Sequence, residues 1–132
     1  MVKPEFTGLR DLSYSQYHRT LPETCAMIDI DSIEWRNELG IVAFIETAIF
    51  VEKEHFKLWQ LIERKNFEVK VLDELQNLTN KPAFVVIHNP ELTTFWVFKI
   101  RNQKAGLYKA FSREQYSEFI QNLGIKIIEV KA

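Results

Sequence analysis

Apolar residues along this chain recur with two periods, one helical and one of strict alternation or dense runs. In "SYSQYHRTL", residues 13–21, Tyr14, Tyr17, His18 and Leu21 fall at i, i+3, i+4 and i+7, one face of a helix. Ser13 with Gln16 fits a capping box, and Pro22 ends the segment. Residues 26–36 and 41–49 read as strands, and "NELG" between them reads as a tight turn, so the two form a hairpin. "EKEHFKLWQLIERK" is expected to be helical, with Phe56, Trp59 and Ile62 as its apolar stripe. A second helix is expected over 67–79, with Phe67, Val71, Leu75 and Leu78 at helical spacing and Lys81-Pro82 as its stop. "AFVVIH", 83–88, is a dense apolar run of the kind found in buried strands. "TFWVFKI" and "LYKAF" read as further strands, with turns at Asn89-Pro90 and Ala105-Gly106. The last helix has the fullest signature: Ser112 caps it, Gln115 completes the box, Tyr116, Phe119, Ile120 and Leu123 line one face, and Gly124 terminates it. "IKIIEV" reads as a closing strand.

The order is helix, hairpin, one or two helices, strand, two strands, helix, strand. The path from the hairpin through the helices to 83–88 fits a β-α-β crossover, right-handed by the usual rule. The fold class is α/β (α+β), a mixed sheet flanked by helices, in a single domain spanning 1–132. A length of 132 residues, 46% hydrophobic and 13% aromatic, supports one core. One cysteine, Cys25, excludes an intrachain disulfide and a cysteine-based zinc site, and a reducing, intracellular (cytoplasmic) setting is the simpler expectation. No apolar run approaches the roughly 20 residues of a membrane helix, and the N-terminal stretch lacks the apolar core of a signal peptide. A formal net charge of −1 neither supports nor excludes nucleic-acid binding.

Chemistry concentrates in "CAMIDIDSIEWRNELGIVAFIETA", residues 25–48. Asp29 and Asp31 interrupt one apolar run, and Glu46 interrupts the next. A turn centred on Glu38-Leu39 sets Ile33 opposite Phe44, Asp31 opposite Glu46 and Asp29 opposite Ala48. Alternation then gives one face Asp29, Asp31, Ile33, Trp35, Val42, Phe44, Glu46 and Ala48, apolar near the turn and acidic at the far end. Opposed carboxylates with Cβ atoms about 4.5–5.5 Å apart repel, and a divalent cation would resolve the repulsion. The alternative is a solvated acidic face with no role.

The stretch resembles the PD-(D/E)xK nuclease superfamily. "IDSI" looks like the segment that holds the motif aspartate, here Asp31, and "FIETA" looks like the second motif strand, with Glu46 as its acid. The resemblance covers mainly residues 13–88 and implies a restriction-endonuclease-like fold. It implies metal-dependent hydrolysis of phosphodiester bonds in nucleic acid, with DNA as the expected substrate. Asp31, Glu46 and the carbonyl of Thr47 would hold Mg²⁺ or Mn²⁺, and Asp29 would bind a second ion or a metal-bound water. The motif lysine falls on position 48, which is Ala48. A naturally inactive site, a lysine moved to Lys53 or Lys70, and a deliberate lysine-to-alanine replacement are all open, and the intact remainder of the motif favours the last.

Other residues carry weaker signals. His18, His55 and His88 show no metal-ligand spacing, and His18-Arg19 is a candidate phosphate contact. Trp35 reads as core rather than as a platform for a base. Lys99, Arg101, Lys104 and Lys109 are candidates for contacts to a nucleic-acid backbone, although charged turns are normally just solvated. No G-x-S-x-G motif and no glycine-rich phosphate loop occur. The second functional reading is a non-catalytic module on the same fold that binds nucleic acid or protein. A homodimer is left open.

Overall fold

The computed structural model describes residues 12–51 and 57–125. A helix α1 (Leu12–His18) precedes a hairpin of β1 (Ser32–Arg36) and β2 (Gly40–Ile49). Two helices, α2 (Leu58–Arg64) and α3 (Asn66–Thr79), lead to β3 (Ala83–His88). Strands β4 (Thr94–Arg101) and β5 (Lys104–Ser112) and helix α4 (Arg113–Gln121) follow. The five strands form one mixed sheet in the order β1-β2-β3-β4-β5. Only β2 and β3 pair in parallel, which is what a helical crossover between them requires. The chain is a single α+β domain with a five-stranded mixed sheet and, among the described residues, four helices.

The sheet is covered on both faces, so its central strand β3 is apolar at successive positions rather than alternating. One face packs Ala43, Ile45, Phe84, Val86 and Val97 against Phe119 of α4 and Leu123 in the turn that follows it. The other packs Phe44, Val85, Ile87, Phe98 and Ile100 against Val69 and Leu72 of α3, with Leu58, Leu61 and Ile62 of α2 beside them. Ser112 caps α4 as expected: its Oγ accepts from the Gln115 N–H at 3.2 Å, and Gln115 Oε1 accepts from the Ser112 N–H at 2.8 Å. Gly124 follows in the left-handed region, at φ +79°.

Several sequence expectations change. The first strand begins at Ser32, so Ala26–Asp31 lie outside the ladder. The expected register holds at Ile33↔Phe44, but a bulge between Glu34 and Trp35 shifts Trp35 onto Ile41. The extra residue, Val42, therefore joins the α4 face and not the face of Phe44. Trp35 is 56% exposed and is not core. Ser13 lies inside α1, which already begins at Leu12, and Tyr14 and Tyr17 are exposed. The α3 stripe is Val69, Leu72 and Asp73, while Phe67 and Leu78 face solvent. The β4–β5 turn is Asn102-Gln103, both at positive φ as a type I′ turn demands, and Ala105-Gly106 lies within β5. Phe56, Lys53, His55 and most of the expected closing strand lie outside the described residues.

Candidate functional site

Glu46 stands in the middle of β2 on the face that carries Phe44 and Val85, and it is 4% exposed. Strand β2 is flanked by β1 and β3, so its alternation sends every second side chain into the α2/α3 layer, whatever its polarity. Glu46 thus sits in an apolar layer where an ionised carboxylate is costly without partners.

Two partners converge on it. Asp31, one residue before β1, extends the hairpin to the position opposite, so the two carboxyl groups face each other. Asp31 Oδ2 also accepts from the Thr47 N–H at 2.9 Å and from Thr47 Oγ1 at 3.1 Å. Because β1 begins only at Ser32, the Thr47 N–H has no ladder partner, and the Asp31 carboxylate takes that place. Within a strand, the N–H and C=O of one residue point the same way. The Thr47 carbonyl therefore faces the same edge as Asp31.

The second partner is Lys65. Its Nζ lies 3.5 Å from Glu46 Oε2, with the lysine side chain partly buried. Lys65 occupies the joint between α2 and α3: its N–H donates to the Ile62 carbonyl at 3.0 Å, and its own carbonyl accepts from the Val69 N–H at 2.8 Å. Glu46 Oε1 is buried with no hydrogen-bond partner, as is Glu68 Oε2 in the first turn of α3.

The electrostatics separate the two acids. Burial, and then the hydrogen bond to Asp31, push the Glu46 carboxyl up to about 7, against the pull of the Lys65 charge. Partial burial also acts upward on Asp31. The hydrogen bonds from Glu46 and from the Thr47 N–H and hydroxyl, with the Lys65 charge, outweigh it and hold Asp31 below its ordinary value. As pH falls below about 7 the pair takes up a proton on the Glu46 side before the Asp31 side.

The structure thus brings together Asp31, Glu46 and Thr47, as the sequence indicated, and adds Lys65, which the sequence reading missed. A signal for Lys65 was present: Leu58, Leu61, Ile62 and Lys65 fall at i, i+3, i+4 and i+7, so the apolar stripe of α2 leads onto it. Lys70 is exposed on α3, and Asp29 is exposed ahead of β1. Ala48 shares the Glu46 face and packs beside the α2/α3 core. Among the described residues no three His, Cys, Asp or Glu side chains form a metal-holding group. Among the described residues, the oxygen atoms that meet at this edge are those of Asp31, Glu46 and Thr47.

Lys99, Arg101 and Lys104 do not form one patch of equivalent cations. Arg101 and Lys104 are exposed beside the β4–β5 turn. Lys99 is half-buried: its Nζ donates to Gln76 Oε1 and to the Ile100 carbonyl and lies 5.4 Å from the Phe84 ring centre. Burial, then the nearby Arg101 charge, bring its ammonium down to about 8, against the pull of Asp73. Lys109 lies 5.4 Å from the Phe111 ring centre.

Comparisons with protein-family models, with curated proteins and with solved structures found no match. No described helix is long and apolar enough to cross a membrane.

Proposed function

We propose that this chain is a metal-dependent nuclease on a restriction-endonuclease-like fold, hydrolysing phosphodiester bonds in DNA. The observation that carries the reading is the Asp31–Glu46 contact over a buried, unpartnered Glu46 Oε1, with the Lys65 ammonium alongside. The residues fit a hard divalent cation: Asp31, Glu46 and the Thr47 carbonyl would hold Mg²⁺ or Mn²⁺, leaving the remaining positions to water. Such an ion, when bound, lowers the pKa of an attacking water and offsets charge on the phosphate.

The chain's own groups have separate tasks. Thr47 fixes the Asp31 carboxylate through two hydrogen bonds, so Asp31 is positioned before any ligand arrives. Lys65 takes the part that the resemblance assigns to position 48, where Ala48 has no charge to offer. Its ammonium approaches Glu46 from the helix side instead of along the strand. It supplies positive charge beside the phosphate and a donor that orients the water. This removes the need for a lysine on β2, and a deliberate replacement need not be invoked.

A non-catalytic module is the second reading, and one observation favours it. Asp31 already satisfies the orphan Thr47 N–H, so its retention has a structural reason independent of metal. Calorimetric titration of Mn²⁺ into the protein and into Asp31→Ala separates the two. Heat for the first and none for the second supports the metal site, and equal negligible heats remove it. Cleavage of single-stranded, duplex and branched DNA with Mn²⁺ follows, using Lys65→Met and Ala48→Lys. The nuclease reading expects cleavage that Lys65→Met lowers by about 100-fold or more, within the range of a positioned acid–base group. It also expects Ala48→Lys to restore part of that activity in the Lys65→Met background. A folded, metal-binding protein in which Lys65→Met leaves cleavage unchanged refutes the assignment of Lys65.

A further inference from the structure

The same sheet face that carries Glu46 ends in an open aromatic pocket of about 550 Å³, a volume typical of small-molecule sites. Its floor is Phe50 and Phe98, and its walls include Trp59 of α2 and Leu107 and Tyr108 of β5. Among the described residues, Lys57 is the one charged side chain of its lining. Trp59 is 55% exposed and Tyr108 49%, a large aromatic area to leave in water. The rings are held in place: Tyr108 packs on Phe98 with centres 5.4 Å apart, and Phe50 meets Trp96 edge-on at 5.6 Å.

Two elements connect this pocket to the carboxylate site. Glu46, Ala48 and Phe50 follow one another on one side of the chain, and four residues of strand span about 13 Å. Lys57 stands at the pocket and Lys65 at Glu46, and eight residues of helix span about 12 Å. Strand and helix therefore run side by side from one site to the other, with a lysine at each end of the helical edge. At about 3.4 Å per stacked nucleotide, the gap suits roughly four stacked nucleotides, or fewer when the strand is extended.

Resting on the nuclease reading, we infer that this pocket receives an unpaired nucleobase of a single-stranded substrate whose backbone runs along Lys57 toward the Asp31–Glu46 site. An uncharged aromatic base fits rings that stack without selecting a sequence. The Lys57 ammonium at the rim matches the adjoining phosphate. A duplex holds its bases stacked and paired, so only a strand with an unpaired base fills the pocket. The surface thus selects single-stranded or frayed nucleic acid over intact duplex.

The test uses the full chain without added metal, so that binding is read apart from cleavage. Fluorescence anisotropy compares a labelled oligothymidylate, an abasic oligomer of equal length and a duplex. The abasic strand and the duplex are expected to bind at least about fivefold more weakly than the base-bearing strand. Trp59→Ala and Tyr108→Ala, both at exposed positions, should abolish that preference while leaving the far-ultraviolet circular dichroism unchanged. Equal binding of abasic and base-bearing strands overturns the inference, as does a preference that survives both substitutions. Concentration-dependent self-association that Trp59→Ala removes also overturns it, because a second copy would then be the occupant. Base-dependent binding in a protein that neither binds Mn²⁺ nor cuts keeps the pocket and removes the nuclease. Cleavage without base dependence does the reverse.

Discussion

Gly40 and Gly124 both hold positive φ, at 74° and 79°, yet their surroundings differ. A Cβ at Gly40 would meet nothing within 4 Å, whereas one at Gly124 would lie 2.6 Å from Val42 Cγ1 and 3.2 Å from Leu39 Cδ1. Gly40→Ala should therefore cost only the left-handed backbone, about 1–2 kcal/mol. Gly124→Ala adds a collision with a bulged, buried valine to the same backbone term and should cost about 1 kcal/mol more, in the range of overpacking. Urea denaturation of the two variants reads the difference as midpoints at constant slope. Equal midpoints would mean that Val42 moves aside freely, contrary to its tight packing against α4.

At the scale of elements, the polar face of α3 is what ties the helix to the sheet. Gln76 Oε1 accepts from the Ala83 N–H at 2.8 Å, where β3 begins, and Gln76 Nε2 donates to the Ile100 carbonyl at 3.0 Å in β4. Asp73 Oδ2 accepts from the Gln103 N–H at 3.1 Å and so holds the β4–β5 turn against the helix. Gln76→Ala leaves the Ala83 and Ile100 backbone groups without these partners and should cost about 2 kcal/mol or more. Hydrogen exchange at the Ala83 amide gives a local check: protection should fall there first, ahead of the amides in the middle of β3. This anchoring bears on the candidate site, because α3 continues from the joint that carries Lys65.

For the whole molecule, two groups at separate places give the stability profile two opposite slopes. Glu46 has its folded pKa raised to about 7 from 4.5, so between those values the folded state binds more protons than the unfolded one. Metal-free stability should therefore fall as pH rises from 4.5 to 7. Lys99 has its folded pKa lowered to about 8 from 10.5, so across that interval the unfolded state binds more protons and stability should rise. Burial, with the Glu34 charge, pushes the Tyr116 phenol above its ordinary value, which adds a fall above pH 10 and limits the clean window to 8–10. Denaturation midpoints measured from pH 4.5 to 10 should show a trough between 7 and 8. Glu46→Gln should flatten the acid limb and Lys99→Met the alkaline one, each leaving the other intact. A profile in which Glu46→Gln leaves the acid limb unchanged would show that the carboxyl is not desolvated as its surroundings imply.

The elements whose signals are local were legible in the residues alone. Ser112, Gln115 and Gly124 bracket α4 by hydrogen bonds and backbone conformation that involve only near neighbours. The 83–88 run reads as a buried strand because its apolar residues leave no polar face. The hairpin itself was legible, but its turn is one residue tighter than expected, and the pairing of Ile33 with Phe44 that sets Asp31 against Glu46 returns only through the bulge at Val42. What local pattern could not decide is which of several equivalent faces is buried. Phe67 and Leu78 match a helical stripe as well as Val69 and Leu72 do, and only packing against Phe44 and Val85 selects the second set. That choice admits Asp73 and Gln76 to the interior, where backbone groups of other strands satisfy them. It also determines which lysine meets Glu46. Lys53, Lys70 and position 48 are the places the chain pattern offers for that lysine, but among the described residues it is Lys65, at the bend between α2 and α3, that comes to 3.5 Å. The sequence by itself determined that two acids would meet at the end of a hairpin. The tertiary structure decided their partner, because a charge contact between distant elements depends on where a helix joint lands on the sheet, and no period in the chain encodes that.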